Sequence, residues 1–463
     1  MSCSRHFDHV DFHSLTYARE PVTRLPFALP GAQRRFLRDR QVDLLHVRIE
    51  LVVDFDDRAL QGRVTHRLRP LGPAVTTVTL DAVEMEVEKV ELDGVAQRFR
   101  NDGERLTVDL SEPLPDGVEV ALTVSYSCHP RRGFYFLGPD EARPDRPVHA
   151  WSQGQDQDSR YWWPVHDDPH EKATTELIAT VPADFFALSN GKLVSSRKKG
   201  KRRVLHWHQE QPHSPYLVTL AVGPFERIAQ SHGDLKLTTY FLPGHKDEAR
   251  RCVKDTPRML ALFEEWTGTP YPYAKYDQVF VENFIFGGME NTSATTLTDS
   301  VLHDARAALD YSAEDLISHE LAHQWWGNLV TCREWSEAWL NEGFATFFEI
   351  VWKEHARSED EAWALRSELK EGYFDEDRRY RRPIACREYD DPIELFDAHL
   401  YHKGAWVLSM LADELGVEEF RRGLAHYLSR HGGGSVETSD TFDQLWRQPW
   451  ESRYSITVFV IFL

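Results

Sequence analysis

The stretch Ser318-His319-Glu320-Leu321-Ala322-His323-Gln324-Trp325-Trp326-Gly327-Asn328-Leu329 sets two histidines four apart, with a glutamate directly after the first, in an otherwise apolar, tryptophan-rich segment. Just upstream, Ser312-Ala313-Glu314-Asp315 has a capping-box form, so a helix is expected to start near residue 312. Residues four apart on a helix lie on one face, one turn above the other. His319 and His323 therefore point the same way, and their imidazoles can meet a single ion. Glu320 is rotated by about 100° from His319. It cannot easily join the same ligand set, but it can lean over a water bound to that ion. This is the HExxH arrangement. A helix carrying two histidines satisfied by ordinary hydrogen bonds is the alternative that the motif alone leaves open.

A metal would need a third ligand on a neighbouring element and a fourth position open to solvent. The segment Trp339-Leu340-Asn341-Glu342-Gly343-Phe344 supplies Glu342, 19 positions after His323. A turn through Asn328–Trp335, with Ser336 as N-cap, would bring this second helix back against the first. Glu342 sits among Trp339, Leu340, Phe344 and Phe347, where a carboxylate is costly unless it meets a cation. Two histidines, one glutamate and a water make a catalytic zinc set rather than a closed structural one. Glu337 and Asn341 flank the third ligand and read as polar side chains facing solvent, with a role in orienting a ligand as the alternative. Trp162, Trp163, Trp325 and Trp326 read as packing residues, with a cleft lining as the alternative.

The 463-residue chain is long enough for two or three domains. A formal charge of −20 disfavours nucleic acid as a partner, because phosphate binding needs a basic face. Cys3, Cys128, Cys252, Cys332 and Cys386 are scattered and odd in number, which suits a reducing compartment. The opening MSCSRHFDHVDFHS lacks the apolar core of a signal peptide, and no apolar run is long enough to span a bilayer, the final ITVFVIFL included. A cytoplasmic location and no membrane partner are the expectations.

From about residue 45 to 225 the chain reads as β-rich: LLHVRIELVVDF, GRVTHRLRPL, VTTVTLDAV and VEVALTVSYS alternate apolar and polar residues. Asn190-Gly191 reads as a hairpin turn, and the basic run Arg197–Arg203 as a solvated hairpin tip. After Phe225 the apolar spacing becomes helical, which places a domain boundary near 225. Gly432-Gly433-Gly434 reads as a loop between helices. The segment after Asp440 stops without a clear further domain.

HELAHQWWGNLVT followed by WLNEGFA closely resembles the zinc aminopeptidases of the aminopeptidase N and leukotriene hydrolase family, peptidase family M1. Gly287-Gly288-Met289-Glu290-Asn291 resembles that family's GxMEN exopeptidase motif, and Tyr401-His402-Lys403-Gly404 its YxKG segment. Ser152-Gln153-Gly154-Gln155 resembles a stretch that contributes to amine recognition, and YLVTLAVGPF the end of the N-terminal β domain.

The resemblance implies an α+β chain: a β-rich, saddle-like domain over 1–225, a thermolysin-like, mainly helical domain over 226–440, and an atypical tail over 441–463. It implies one zinc ion on His319, His323 and Glu342, with Glu320 as general base and proton shuttle. Glu290 would bind the substrate's free α-amino group, helped by the side-chain oxygen of Gln155. Tyr401 would donate to the oxyanion, and the Gly287-Gly288 backbone, followed by Met289 and Asn291, would lie along the substrate. The expected reaction is removal of N-terminal residues from peptides. Epoxide hydrolysis of the leukotriene hydrolase kind and a catalytically silent scaffold are the alternatives. The large helical domain with which family members usually continue is expected to be absent.

Overall fold

The computed structural model describes residues 24–72 and 74–441. The stretch read for a leader lies outside them, as does the tail apart from Thr441.

The alternating segments form strands. In Val42–Asp54, Val47, Ile49, Leu51 and Val53 are buried while the residues between them are more exposed, the period-two signature of a strand with one face on a core. This strand lies inside an eight-stranded sheet, antiparallel to Ala59–Pro70 and parallel to Ala173–Pro182. Val75–Asp81 and Val120–Cys128 fall where alternation predicts strands, the first in a separate three-stranded sheet. A four-stranded sheet contains His149–Ser152, which leads directly into Gln155.

Two local readings are corrected. Asn190-Gly191 does make a turn, with Gly191 at φ +73°, but the strands on either side, Phe186–Ser189 and Lys192–Lys199, belong to different sheets. The hairpin forms one strand later, between Lys192–Lys199 and Arg202–His213, so the basic run Arg197–Arg203 is its exposed tip. After Phe225 helices do not follow at once: Glu226–His232, Leu235–Phe241, Tyr276–Val281, Ala294–Thr298 and Gly288–Met289 build a five-stranded sheet in that order. Tyr276–Val281 is buried at all six positions, so it carries no alternation to read. The glycines at 432–434 do lie between helices, Val417–His431 and a helical stretch that starts at Thr438. They lead into Ser435–Val436, which pairs parallel with Thr331–Cys332.

The α-helices are α1 Lys246–Cys252, α2 Thr256–Thr267, α3 Glu314–Ala322, α4 Trp339–Ala356, α5 Glu359–Arg379, α6 His402–Leu415 and α7 Val417–His431, with a further helical stretch over the described residues 438–441. Helix α4 is buried along most of its length and packs against α3, α5 and α6. A helix buried on nearly every face belongs in a core, and the stacked rings of Trp326, Phe344 and Tyr427 lie there. Trp162, Trp163, Trp325 and Trp326 are all buried, which agrees with packing. No helix among the described residues is long and apolar enough to cross a membrane.

Candidate active site

Helix α3 begins at Glu314, whose N–H donates to Ser312 Oγ at 3.2 Å. The cap predicted near 312 therefore works, with Ala313 as the cap position itself. The helix ends at Ala322, but the N–H of His323 still donates to the carbonyl of His319 at 3.2 Å, so the helical turn persists through both histidines. Gly327, at φ +119°, then folds the chain back and the N–H of Asn328 bonds to the carbonyl of His323.

Each imidazole is oriented from behind. Nδ1 of His323 donates to the carbonyl of Trp326 at 2.8 Å, which leaves Nε2 with its lone pair. Nδ1 of His319 donates to Glu349 Oε1 at 2.6 Å. The two Nε2 atoms lie 3.1 Å apart, and Glu342 Oε2 lies 3.3 Å from that of His319 and 3.2 Å from that of His323. Tetrahedral bonds of about 2.0–2.1 Å would separate ligand atoms by about 3.3 Å. The triangle therefore fits a zinc-sized ion, and these three residues are the group among the described residues that can hold a metal.

The electrostatics point the same way. Burial opposes charge on every member, yet Glu290 and Glu342 push His323 up to about 9, and Glu342 and Glu349 hold His319 well above the usual imidazole range. Against its own burial, Glu342 is drawn down to about 2 by His323 and His319. The site is short of positive charge, and a divalent cation supplies it without two protonated rings facing each other.

Glu342 sits in the first turn of α4, as expected. Ser336 does not cap that helix: it lies in a short 3-10 turn, and Ala338 precedes the first helical residue. Glu337 and Asn341 are buried rather than facing solvent. Glu337 accepts from the N–H of Thr438 at 3.0 Å, while Asn341 accepts from the N–H of Cys332 at 2.9 Å, so both brace loops. Glu349, which accepts from His319 Nδ1, went unread. It lies seven residues after Glu342, on the same helix face and in apolar company, and that spacing would have found it.

Glu320 is buried, and burial pushes its carboxyl up to about 8, opposed by His319 and His323. Oε2 has no hydrogen-bond partner. Its carboxylate fills the place where a Cβ on Gly288 would be, the physical reason for glycine there. Gly287 has φ +80°. Gly288–Met289 forms the edge of the five-stranded sheet. Met289 Sδ accepts from Gln153 Nε2 at 3.3 Å, and Asn291 Oδ1 accepts from Thr296 Oγ1 at 2.9 Å. Glu290 is buried, its Oε1 has no partner, and burial with Glu342 nearby raises its carboxyl.

Gln155 reaches the site from the β-rich half, where its Nε2 donates to Glu342 Oε1 at 3.4 Å. Tyr401 caps α6, its ring centroid 6.0 Å from that of His319. The structure thus brings Glu320, Glu290, Gln155 and Tyr401 beside the His319–His323–Glu342 triangle, while the side chains of Met289 and Asn291 bond to Gln153 and Thr296.

A helical HExxH element, a glutamate from the next long helix and an edge strand beside them define a metallopeptidase-type site. The peptidase M1 N-terminal domain model matches residues 44–217, and the peptidase family M1 domain model matches 252–459: the chain belongs to peptidase family M1. It is 32% identical over 362 residues to Aminopeptidase M1 of Arabidopsis thaliana, covering 75% of this chain and 40% of that protein. To the tricorn protease-interacting factor F2 of Thermoplasma acidophilum it is 28% identical over 399 residues, covering 84% and 50%. The chain thus spans about half the length of the curated relatives it matches. Its fold resembles a crystal structure of the M1 zinc metallopeptidase of Deinococcus radiodurans, a variant bound to a Tyr-Ser-Ala substrate. The TM-score is 0.73 at 24% identity, covering 91% of this chain and 94% of that one.

Proposed function

We propose that this chain is a zinc aminopeptidase that hydrolyses the first peptide bond of substrates with a free N-terminus, its two domains meeting near residue 225. The observation that carries the reading is the buried triangle of two imidazole nitrogens and one carboxylate oxygen beside a second buried carboxylate, Glu290, whose Oε1 has no protein partner.

His319, His323 and Glu342 would hold a single zinc ion. Bound there, zinc supplies Lewis acidity, which makes water a nucleophile at neutral pH and polarises an amide carbonyl. Glu320 takes the proton of the attacking water at Oε2 and delivers it to the leaving amine. Its own burial and the nearby carboxylates favour the protonated form it needs for the second step. The Tyr401 hydroxyl donates to the developing oxyanion. Glu290 receives the substrate ammonium, and Gln155, already donating to Glu342, keeps its side-chain oxygen for the same ammonium. A blocked N-terminus would leave Glu290 buried without a cation, at a cost of about 1–3 kcal/mol or more. The edge strand Gly288–Met289 offers backbone groups to which an extended peptide can add.

The test is hydrolysis of a panel of aminoacyl amides, each with its N-acetylated counterpart, before and after chelation and with zinc restored. Activity confined to the free amines, lost with metal and regained with zinc, is the expected result. Cleavage indifferent to chelation or to acetylation would overturn the reading.

A further inference from the structure

Between the metal triad and Glu290 runs a short chain of hydrogen bonds with no part in the chemistry set out above. The N–H of Asn328 donates to the carbonyl of His323 at 3.1 Å, and its side-chain Nδ2 donates to the carbonyl of Glu290 at 2.7 Å. Gln324, the neighbour of His323, donates from Nε2 to the same Glu290 carbonyl at 3.1 Å and accepts from the N–H of Ser293 through Oε1 at 2.9 Å. Both side chains are fully buried. Behind them Lys172 donates from Nζ to the carbonyls of Asn328 and Leu329 at 3.1 and 3.0 Å. Tyr271 donates its hydroxyl to Gln324 Oε1 at 3.3 Å.

The metal ligands do not need this chain, since Trp326 and Glu349 already orient the two imidazoles. The segment that carries Glu290, directly after the edge strand Gly288–Met289, does use it. Gly288–Met289 pairs with Leu297 and Thr296, and the carbonyls of Gly287 and Asn291 accept from the N–H groups of Thr298 and Ala294 at 2.8 and 2.9 Å, but the carbonyl of Glu290 between them is held by Gln324 and Asn328. Two donors converging on the Glu290 carbonyl from the turn that follows His323 hold Glu290 at a fixed offset from the triad.

That offset is what an exopeptidase measures. The ammonium and the first carbonyl of a peptide are separated by one residue of rigid covalent geometry, and one further residue adds about 3.3–3.6 Å. A shift of a fraction of that length misplaces the scissile carbonyl whenever the ammonium is seated. We propose that Gln324 and Asn328 are positioning residues that set the distance between the His319–His323–Glu342 triad and the Glu290 carboxylate, and so hold cleavage to the first residue of the substrate. The inference rests on the aminopeptidase reading and adds the element that fixes its register.

The experiment compares the full chain with Asn328→Ala, Asn328→Asp and Gln324→Leu variants. It measures bound zinc, kcat and KM on an aminoacyl reporter amide, the same reporter N-acetylated, and the products from a short peptide ladder. Expected are wild-type zinc content and a KM for the free amine raised about ten-fold with a smaller change in kcat. The preference for free over acetylated reporter falls, and dipeptide appears among the products. Asn328→Asp preserves shape while removing the donor, and Gln324→Leu probes the same carbonyl from the other side, so misfolding of Asn328→Ala leaves two readouts. Folded variants with wild-type KM, preference and products overturn the proposal, as does a loss that falls equally on both reporters together with lost zinc. If the wild-type chain itself fails to prefer the free amine, the aminopeptidase reading fails first, and that outcome is distinct from the others.

Discussion

Gly343 and Gly404 face each other across α4 and α6 so closely that a Cβ on Gly343 would lie 2.9 Å from the Cα of Gly404, and one on Gly404 would lie 2.8 Å from the Cα of Gly343. Gly343 follows the candidate ligand Glu342, and Gly404 lies one turn after Tyr401. Backbone contact between the two helices therefore brings the tyrosine to the metal side, with its ring stacked on His319. Neither backbone can retreat without moving a side chain of the site.

Gly404→Ala should accordingly destabilise the fold by about 1–3 kcal/mol through overpacking and lower kcat with zinc content unchanged. Thermal unfolding and steady-state kinetics read both effects. A variant with wild-type melting and kcat would show that the contact positions nothing.

Glu349→Gln removes the carboxylate behind His319 while keeping the side chain's size. Loss of such a partner typically weakens metal binding about 10–100-fold. Competition with a chromophoric chelator measures it directly, and an unchanged dissociation constant would leave Glu349 no part in the site.

Glu320→Gln cannot carry a proton. Activity on aminoacyl amides should fall by about 10²–10⁴-fold, with zinc bound as in the wild type. Retained turnover would remove Glu320 from the mechanism.

Acid stability should depend on Asp397. Burial pushes its carboxyl up, but hydrogen bonds from His399 and Arg382 outweigh that and draw it from 3.8 to about 2. Arg382 donates to both carboxylate oxygens, at 2.9 and 2.6 Å. A folded-state pKa below the unfolded one means the pair contributes fully above about pH 4, and the contribution, about 2 kcal/mol, fades as pH falls toward 2. Arg382→Met strands the buried carboxylate and should cost about 3–5 kcal/mol at neutral pH. Urea unfolding from pH 7 to pH 3 would also show a shallower acid dependence in the variant; parallel curves would contradict the assignment.

Much of the site was legible because helical spacing encodes it. His319, Glu320 and His323 are placed by one turn of helix, and Glu342 betrays itself as a carboxylate among aromatics. Glu349 obeys the same logic seven residues on, a carboxylate on the same helix face in equally apolar company. The five-stranded sheet was different. Its central strand Tyr276–Val281 is buried on both faces, so the alternation that marks half-exposed strands is missing. Asn190-Gly191 shows a third case: the turn is encoded locally, but which strand pairs with which is not.

The amino-acid order by itself determined which side chains share a helix face, where polar groups sit in apolar company, and therefore which ion-binding set this protein can assemble. Those are consequences of local geometry, repeated every turn or every second residue. Only the tertiary structure decided that Gln155 meets Glu342 across 187 positions, that Gln324 and Asn328 grip the carbonyl of Glu290, and that two glycines 61 positions apart touch. Contacts at such separations depend on how whole sheets and helices pack, and no periodicity along the chain records that.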